Sequence, residues 1–296
     1  MICILGFLQL IVIGVSADPI SFGETISGTI SNPAQTDSHS FYAITGDVVR
    51  LRVSSSWQTW VRIWLYAPNG TLVAQSSGMT EGSYYADIST ALDQTGTYNV
   101  LIGDPYLDNT GTYNLYIQRL NSPGHSSPLN FGGIATKTIS INSELNTTTF
   151  SGNAGDRIRL RARSSWQTWV RIWLYAPNGT LVTQSSGMTE GSYYADISTA
   201  LDQTGTYTVL IGDQYLDNTG TYNLYIQRLN SPGHSSPLSF GEIATKTISI
   251  NSELNTTTFS GNAGDRIRLR AQSSWQTWVR IWLYAPNGTL VHKAVV

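Results

Sequence analysis

A ten-residue string, WQTWVRIWLY, occupies residues 57–66 and returns letter for letter at 166–175 and 275–284. The three copies lie 109 residues apart and hold all nine tryptophans of the 296-residue chain. The same offset carries Phe22-Gly23 onto Phe131-Gly132 and Phe240-Gly241. A period this long exceeds a solenoid unit, so each copy is expected to be a self-contained domain. This places one repeat at 21–129, a second at 130–238 and a third at 239–296, with NSPGHSSP (121–128 and 230–237) as a flexible linker. From residue 55 to 129 the first two repeats differ at three places: Ala74/Thr183, Asn99/Thr208 and Pro105/Gln214. The third follows the second through Val291 and then departs at His292, so it reads as truncated, without its last three strands and with unpaired edges.

Within a repeat the apolar residues alternate with period two, and Gly, Asn, Asp and Pro separate the runs. In the second repeat this predicts strands near 136–141, 146–151, 156–163, 169–176, 180–184, 192–198, 205–212 and 220–228. About eight short strands per repeat point to an all-β fold, a tandem array of jelly-roll-like β-sandwich domains. Pro177-Asn178-Gly179 reads as a hairpin turn, because Asn and Gly accept positive φ. Tyr207, Val209, Ile211 and Tyr222, Leu224, Ile226 form two inward sets.

Strand parity sorts the aromatic segment. Val61, Ile63 and Leu65 share one face, while Trp60, Arg62, Trp64 and Tyr66 share the other. Burying an unpaired guanidinium costs several kcal/mol, on the order of what breaks a core, so the aliphatic face is the inner one. The second repeat repeats this with Trp169, Arg171, Trp173 and Tyr175 outward. The preceding strand, DRIRLRAR, turns Arg157, Arg159, Arg161 and Arg163 outward, and in the first repeat Arg50 and Arg52 remain of that ladder. If the two strands share a sheet, arginines and rings interleave on its outer surface, with cation–π contacts of roughly 0.5–1 kcal/mol each. Trp60, Arg62, Trp64, Tyr66, Arg50 and Arg52, with Trp169, Arg171, Trp173, Tyr175, Arg159 and Arg161, are therefore the candidate ligand-binding residues. Three structural alternatives stand beside this: the rings are covered by a neighbouring repeat, by the loop 78–85, or by stacked arginines alone. Trp57 reads as a loop anchor.

Ala154-Gly155-Asp156 before an alternating strand, Leu174-Tyr175-Ala176-Pro177-Asn178-Gly179, Thr204-Gly205-Thr206-Tyr207 and Thr219-Gly220-Thr221-Tyr222 occur in that order. In this order they resemble the bacterial and archaeal pre-peptidase C-terminal domain, over both full repeats and the first half of the third. The resemblance implies a jelly-roll β-sandwich that accompanies secreted peptidases or recurs in surface proteins, related to collagen-binding modules of bacterial collagenases. Acidic calcium-binding linkers of some relatives have no counterpart here.

The remaining chemistry is sparse. Charged residues are 12% of the chain and the net charge is -2, which gives no global attraction to nucleic acid. Residues 1–17 read as a signal peptide, implying an extracellular or cell-surface location and no membrane span in the mature chain. Cys3, the single cysteine, lies inside that segment. The histidines (His39, His125, His234, His292) form no metal or triad pattern, and no nucleophile or phosphate-binding motif occurs, so no enzymatic activity and no cofactor are expected. Asp104 with Asp108, and Asp213 with Asp217, are candidate calcium ligands, with ordinary turn aspartates as the simpler reading. Glu81 and Asp87 are close enough in sequence for a carboxylate pair. Asn69, Asn146, Asn178, Asn255 and Asn287 begin Asn-x-Thr sequons and are candidate glycosylation sites. The expected function is non-catalytic binding of an extracellular polysaccharide or protein, such as a matrix or envelope polymer, through the outward aromatic face. Its alternatives are a structural spacer packed through those faces, or the accessory region of a secreted peptidase.

Overall fold

A computed structural model describes residues 17–57, 60–78, 85–166, 169–186, 188–189, 192–274 and 279–295. The expected signal peptide lies outside the described residues except for Ala17, as do Trp275 and Trp278. Among the described residues no helix is long and apolar enough to cross a membrane.

The first sandwich has two sheets. Strands β1 (Asp18–Pro19), β2 (Thr25–Ile30), β3 (Thr36–Ala43), β4 (Val48–Ser55), β5 (Val61–Tyr66), β6 (Leu72–Gly78), β7 (Tyr85–Ala91), β8 (Gly96–Gly103) and β9 (Gly111–Arg119) divide between them. One sheet has the order β1-β3-β8-β5-β6, the other β2-β9-β4-β7. In the second sandwich the strands are β10 (Ser127–Pro128), β11 (Ile134–Ile139), β12 (Asn146–Gly152), β13 (Arg157–Ser164), β14 (Val170–Tyr175), β15 (Leu181–Ser186), β16 (Met188–Thr189), β17 (Ser192–Ala200), β18 (Gly205–Asp213) and β19 (Gly220–Arg228). Their orders, β10-β12-β18-β14-β15 and β11-β19-β13-β17-β16, reproduce the first sandwich strand for strand, the positions that correspond to β16 lying outside the described residues. All eight strands read from the alternation in the second repeat are present.

The inner faces are the ones parity selects. Val61, Ile63 and Leu65 from β5 meet Val49, Leu51 and Val53 from β4, all fully buried. In the second sandwich Val170, Ile172 and Leu174 from β14 and Ile158, Leu160 and Ala162 from β13 fill the same positions, and the two expected inward sets, Tyr207, Val209, Ile211 and Tyr222, Leu224, Ile226, are buried in the same core. Trp57 is buried in the first core, beside Gly111, where an added Cβ would come 3.3 Å from the indole. An added side chain at Gly111 would press on that ring.

Two expectations are corrected. The aromatic strand β5 and the arginine strand β4 lie in opposite sheets, so arginines and rings do not interleave on one surface. Each strand contributes its apolar face to the shared core, which forces the Trp-Arg-Trp-Tyr face and the arginine face out of opposite sides of the sandwich. Nor is the 121–128 stretch a free linker. Ser127 and Pro128 pair in parallel with Thr148 and Thr149, and His125 Nδ1 lies 2.7 Å from the Phe22 carbonyl. The buried Gln118 amide fixes the rest: its Nε2 donates to the Gly124 carbonyl (2.9 Å) and to Thr147 Oγ1 (2.8 Å), and its Oε1 accepts from the Arg119 and Gly124 amides. A short polar linker becomes rigid when every backbone group it carries finds a partner.

From Ser236 onward the described residues form β20 (Ser236–Pro237) paired with β21 (Thr257–Thr258), and a hairpin of β22 (Arg280–Tyr284) with β23 (Leu290–Val295). Replacing Gln118 with Leu leaves buried partners unpaired, each costing about 1–3 kcal/mol. Limited proteolysis of Gln118→Leu is expected to show new cleavage between Asn121 and Ser126, absent from the unmodified chain.

Candidate functional site

The outward aromatic face of one sandwich lies on the outward arginine face of the one before it. Arg50 and Arg52 sit over the Trp173 ring at 4.5 and 5.0 Å, and Arg50 Nη1 donates to the Tyr175 hydroxyl at 2.8 Å. Asp87, on β7 beside β4, accepts from Arg50 Nε at 3.1 Å and pairs with Arg52 Nε at 3.1 Å. Around this charged centre Val48, Tyr116 and Leu120 of the first sandwich meet Leu145 and Leu210 of the second. Tyr116 and Gln118 reach Thr147, and the Ser143 hydroxyl donates to Ser54.

The same seam recurs one repeat on. Arg159 and Arg161 lie 4.2 and 5.5 Å from the Trp282 ring, and Arg159 Nη1 donates to the Tyr284 hydroxyl at 3.0 Å. Asp196 holds Arg159 through Nε at 3.0 Å and lies 3.8 Å from Arg161. Gln227 and Tyr225 reach Thr256 as Gln118 and Tyr116 reach Thr147.

Burial governs the charges. It depresses the Arg52 pKa to about 10, partly offset by Asp87, which leaves the guanidinium charged at neutral pH. For Arg50 burial acts the same way, but Asp87 and the Tyr175 hydroxyl outweigh it and hold the pKa above the ordinary guanidinium value. Tyr175 is pushed up by burial. Two guanidiniums on one carboxylate leave an excess positive charge, which the negative face of the indole partly meets. Desolvated cation–π contacts contribute about 2 kcal/mol each.

Among the described residues no other sandwich lies on the same letters in the first one. Trp60 is 41% exposed and lies 6.1 Å from Tyr106, while Trp64 and Tyr66 are half-buried and Arg62 folds over its own strand neighbour Trp64 at 5.5 Å. Trp173, the counterpart of Trp64, is 2% exposed. Gly70 has nothing near an added Cβ, whereas Gly179 would meet Val48 at 2.7 Å and Gly288 would meet Arg157 at 2.8 Å. The Asn-Gly turns thus differ in their surroundings though their φ angles are alike, 82° and 84° at Gly70 and Gly179. Positions bordering the face differ in kind as well: Thr36 and the exposed Asn99 stand where Leu145 and the buried Thr208 stand in the seam. Trp169 lies beside Tyr215 at 6.0 Å, and Arg171 stacks on Trp173 at 5.2 Å. Sequence reasoning placed the rings outward, named Asp87 only as a possible partner of Glu81, and missed Asp196, Gln118 and Leu145; the arginine ladder's need for a carboxylate was the available signal for the role of Asp87 and Asp196.

Other candidates resolve locally. Asp104 Oδ2 accepts from the Asp108 and Asn109 amides at 3.0 Å, closing its own turn. Among the described residues no group of three or more His, Cys, Asp or Glu side chains could hold a metal ion. Asp87 is engaged with Arg50 and Arg52, and Glu81 lies outside the described residues. His39 is buried against the Tyr113 hydroxyl at 2.6 Å, and burial lowers its pKa. Asn69, Asn178 and Asn287 are exposed, each accepting from the Thr two residues on, while Asn146 and Asn255 donate to the Thr138 and Thr247 carbonyls.

No protein-family model matches this chain, and no curated protein matches it. Among solved structures it is similar to the pre-peptidase C-terminal domain of a collagenase from Bacillus anthracis, at 12% identity and a TM-score of 0.31, covering 36% of this chain and 98% of that one. It is also similar to the periplasmic g-type lysozyme inhibitor PliG of Aeromonas hydrophila, at 13% identity and a TM-score of 0.29, covering 35% of this chain and 95% of that one. A putative secreted protein from Eubacterium rectale aligns at 11% identity with a TM-score of 0.26, over 68% of this chain and 72% of that one.

Trp64→Ala and Trp173→Ala remove the same residue from the same strand, and only the second opens a seam. By urea unfolding followed with far-ultraviolet circular dichroism, Trp173→Ala is expected to cost about 3–5 kcal/mol and Trp64→Ala about 1 kcal/mol or less. Asp217 supplies a pH signature. Burial, then its hydrogen bond to Asp213, raises its pKa to about 6. The folded state therefore favours the protonated acid, and the stability it contributes is full below the unfolded value near 3.8 and lost as pH rises through 6. Asp217→Asn is expected to raise the melting temperature at pH 7 and to change it little at pH 3.5.

Proposed function

We propose that this chain is a non-catalytic, exported array of sandwich modules of the pre-peptidase C-terminal type, acting as a stiff extracellular or cell-surface scaffold. The supporting observation is the seam: two arginines and an aspartate of one module against the Trp and Tyr of the next, met twice with the same partners. A spacer needs a fixed angle between modules, and here a pinned connection and a mostly buried interface both act against hinging. A short connection alone would leave rotation free.

A second reading attaches to the first sandwich, where Trp60, Trp64 and Tyr66 are uncovered. A hollow of ≈ 430 Å3 lined by Ser38, Tyr66, Asn99 and Leu101 adjoins that face. In this reading the scaffold holds out one aromatic platform for an extracellular polysaccharide or protein, while its other aromatic faces join modules. As the accessory region of a secreted peptidase the chain would act in the same way.

Small-angle X-ray scattering of the full chain tests the scaffold. A single stiff, elongated particle is expected, and Gly179→Val, which crowds Val48, is expected to give a broader distance distribution than Gly70→Val. A freely hinged unmodified chain would remove the proposal. Trp64→Ala with Tyr66→Ala, which spares the seam, should leave scattering unchanged and abolish any binding to collagen or polysaccharide.

A further inference from the structure

A cleft of ≈ 330 Å3 opens at the first seam, lined by Arg50, Arg52, Arg171, Ser77, Trp173 and Gln184 among others. Among the described residues that line it, Asp87 is the one carboxylate, against three guanidiniums. Arg52 is 1% exposed, and among the described residues its Nη1 has no hydrogen-bond partner. Its remaining contacts are the ion pair to Asp87 and the faces of Tyr85 and Trp173. A buried guanidinium N–H without an acceptor is costly, and a polar cleft beside it is where an acceptor belongs.

We propose that this cleft binds an oxyanion, a sulfate or carboxylate group, with Arg52 as its buried anchor. Arg171 supplies a second positive charge from the other module, so the ligand bridges the seam and tightens it. Ser77 and Gln184 provide hydrogen bonds from opposite sides. Planar forks of N–H donors match carboxylate and sulfate oxygens, which is why arginine rather than lysine suits the site.

At the second seam the corresponding positions carry Arg159, Arg161, Arg280 and Asp196, with Lys293 opposite Trp282 where Gln184 stands opposite Trp173. There Arg280 Nη1 donates to the Tyr194 hydroxyl at 3.1 Å. Two arginine-bearing seams on one stiff chain favour a polymer bearing repeated anions, such as a polyuronate or sulfated glycan, over a free ion, because the second contact is intramolecular. The inference rests on the seam of the scaffold reading.

The test is isothermal titration of the full chain with sodium sulfate, sodium acetate and polygalacturonate at constant ionic strength, with neutral dextran as control. Saturable binding of sulfate or acetate at millimolar concentration is expected, and polygalacturonate, counted per carboxylate, at least tenfold tighter. Gln184→Glu, an exposed change that places a carboxylate at the cleft mouth, should weaken each by tenfold or more. Equal per-anion affinity for acetate and polygalacturonate would keep the oxyanion site and overturn the polymer preference. No saturable binding, or an unchanged affinity in Gln184→Glu, would overturn the site. Residues 79–84, which join the cleft residues Gly78 and Tyr85 and include Glu81, lie outside the described residues. Sulfate binding that emerges only in Glu81→Gln would also overturn it, by showing the chain's own carboxylate in the cleft. Scattering on the same samples separates the two ideas: a stiff chain without anion binding sinks only the anion site, and a hinged chain sinks the seam.

Discussion

Two buried guanidiniums sharing a single carboxylate set the terms for this molecule. Arg50 and Arg52 leave water on the outer face of a sheet, and Asp87 neutralises only one of them. The balance comes from the Trp173 ring and the Tyr175 hydroxyl of the next module. Neither half is a conventional apolar patch: the arginine face would be at home in solvent, and the aromatic face alone would be exposed apolar surface. Brought together they make a contact that is both low in exposed hydrophobic area and tolerant of buried charge. The apolar ring of Val48, Leu120, Leu145 and Leu210 keeps water from that centre and so strengthens its electrostatics.

The geometry follows from strand alternation. Because β4 and β5 each give an aliphatic face to one core, their remaining faces must emerge on opposite sides, one basic and one aromatic. A module of this kind has a head and a tail that fit each other but not themselves. Such heterologous contacts stack modules in one direction.

Much of this was legible in the residues. Period-two alternation located the strands, the inner faces and the outward rings, since a strand has only two faces and an unpaired guanidinium cannot occupy the inner one. What parity cannot supply is which sheet a strand joins, so interleaving of arginines and rings hung on the two strands sharing a sheet, and they stand back to back. The 121–128 stretch misled for a related reason: its Pro, Gly and Ser composition signals a loop, but its rigidity is conferred by Gln118 and by Thr147–Thr149, which lie outside it. The difference between Trp64 and Trp173 could not be read from their identical strands at all. It arises from the arginine face of the first sandwich lying on Trp173, and Thr36 and Asn99 border the other face where Leu145 and Thr208 border this one.

The pairing of one module's tail with the next module's head bears on how a gene of this kind can change. Misaligned recombination between near-identical copies adds or deletes whole units of 109 residues. Each such event joins a tail to a head that already fits it, so array length can vary in a population without any compensating substitution. Length is then the trait most open to selection, and the reach of the scaffold can be tuned by counting modules rather than by redesigning them.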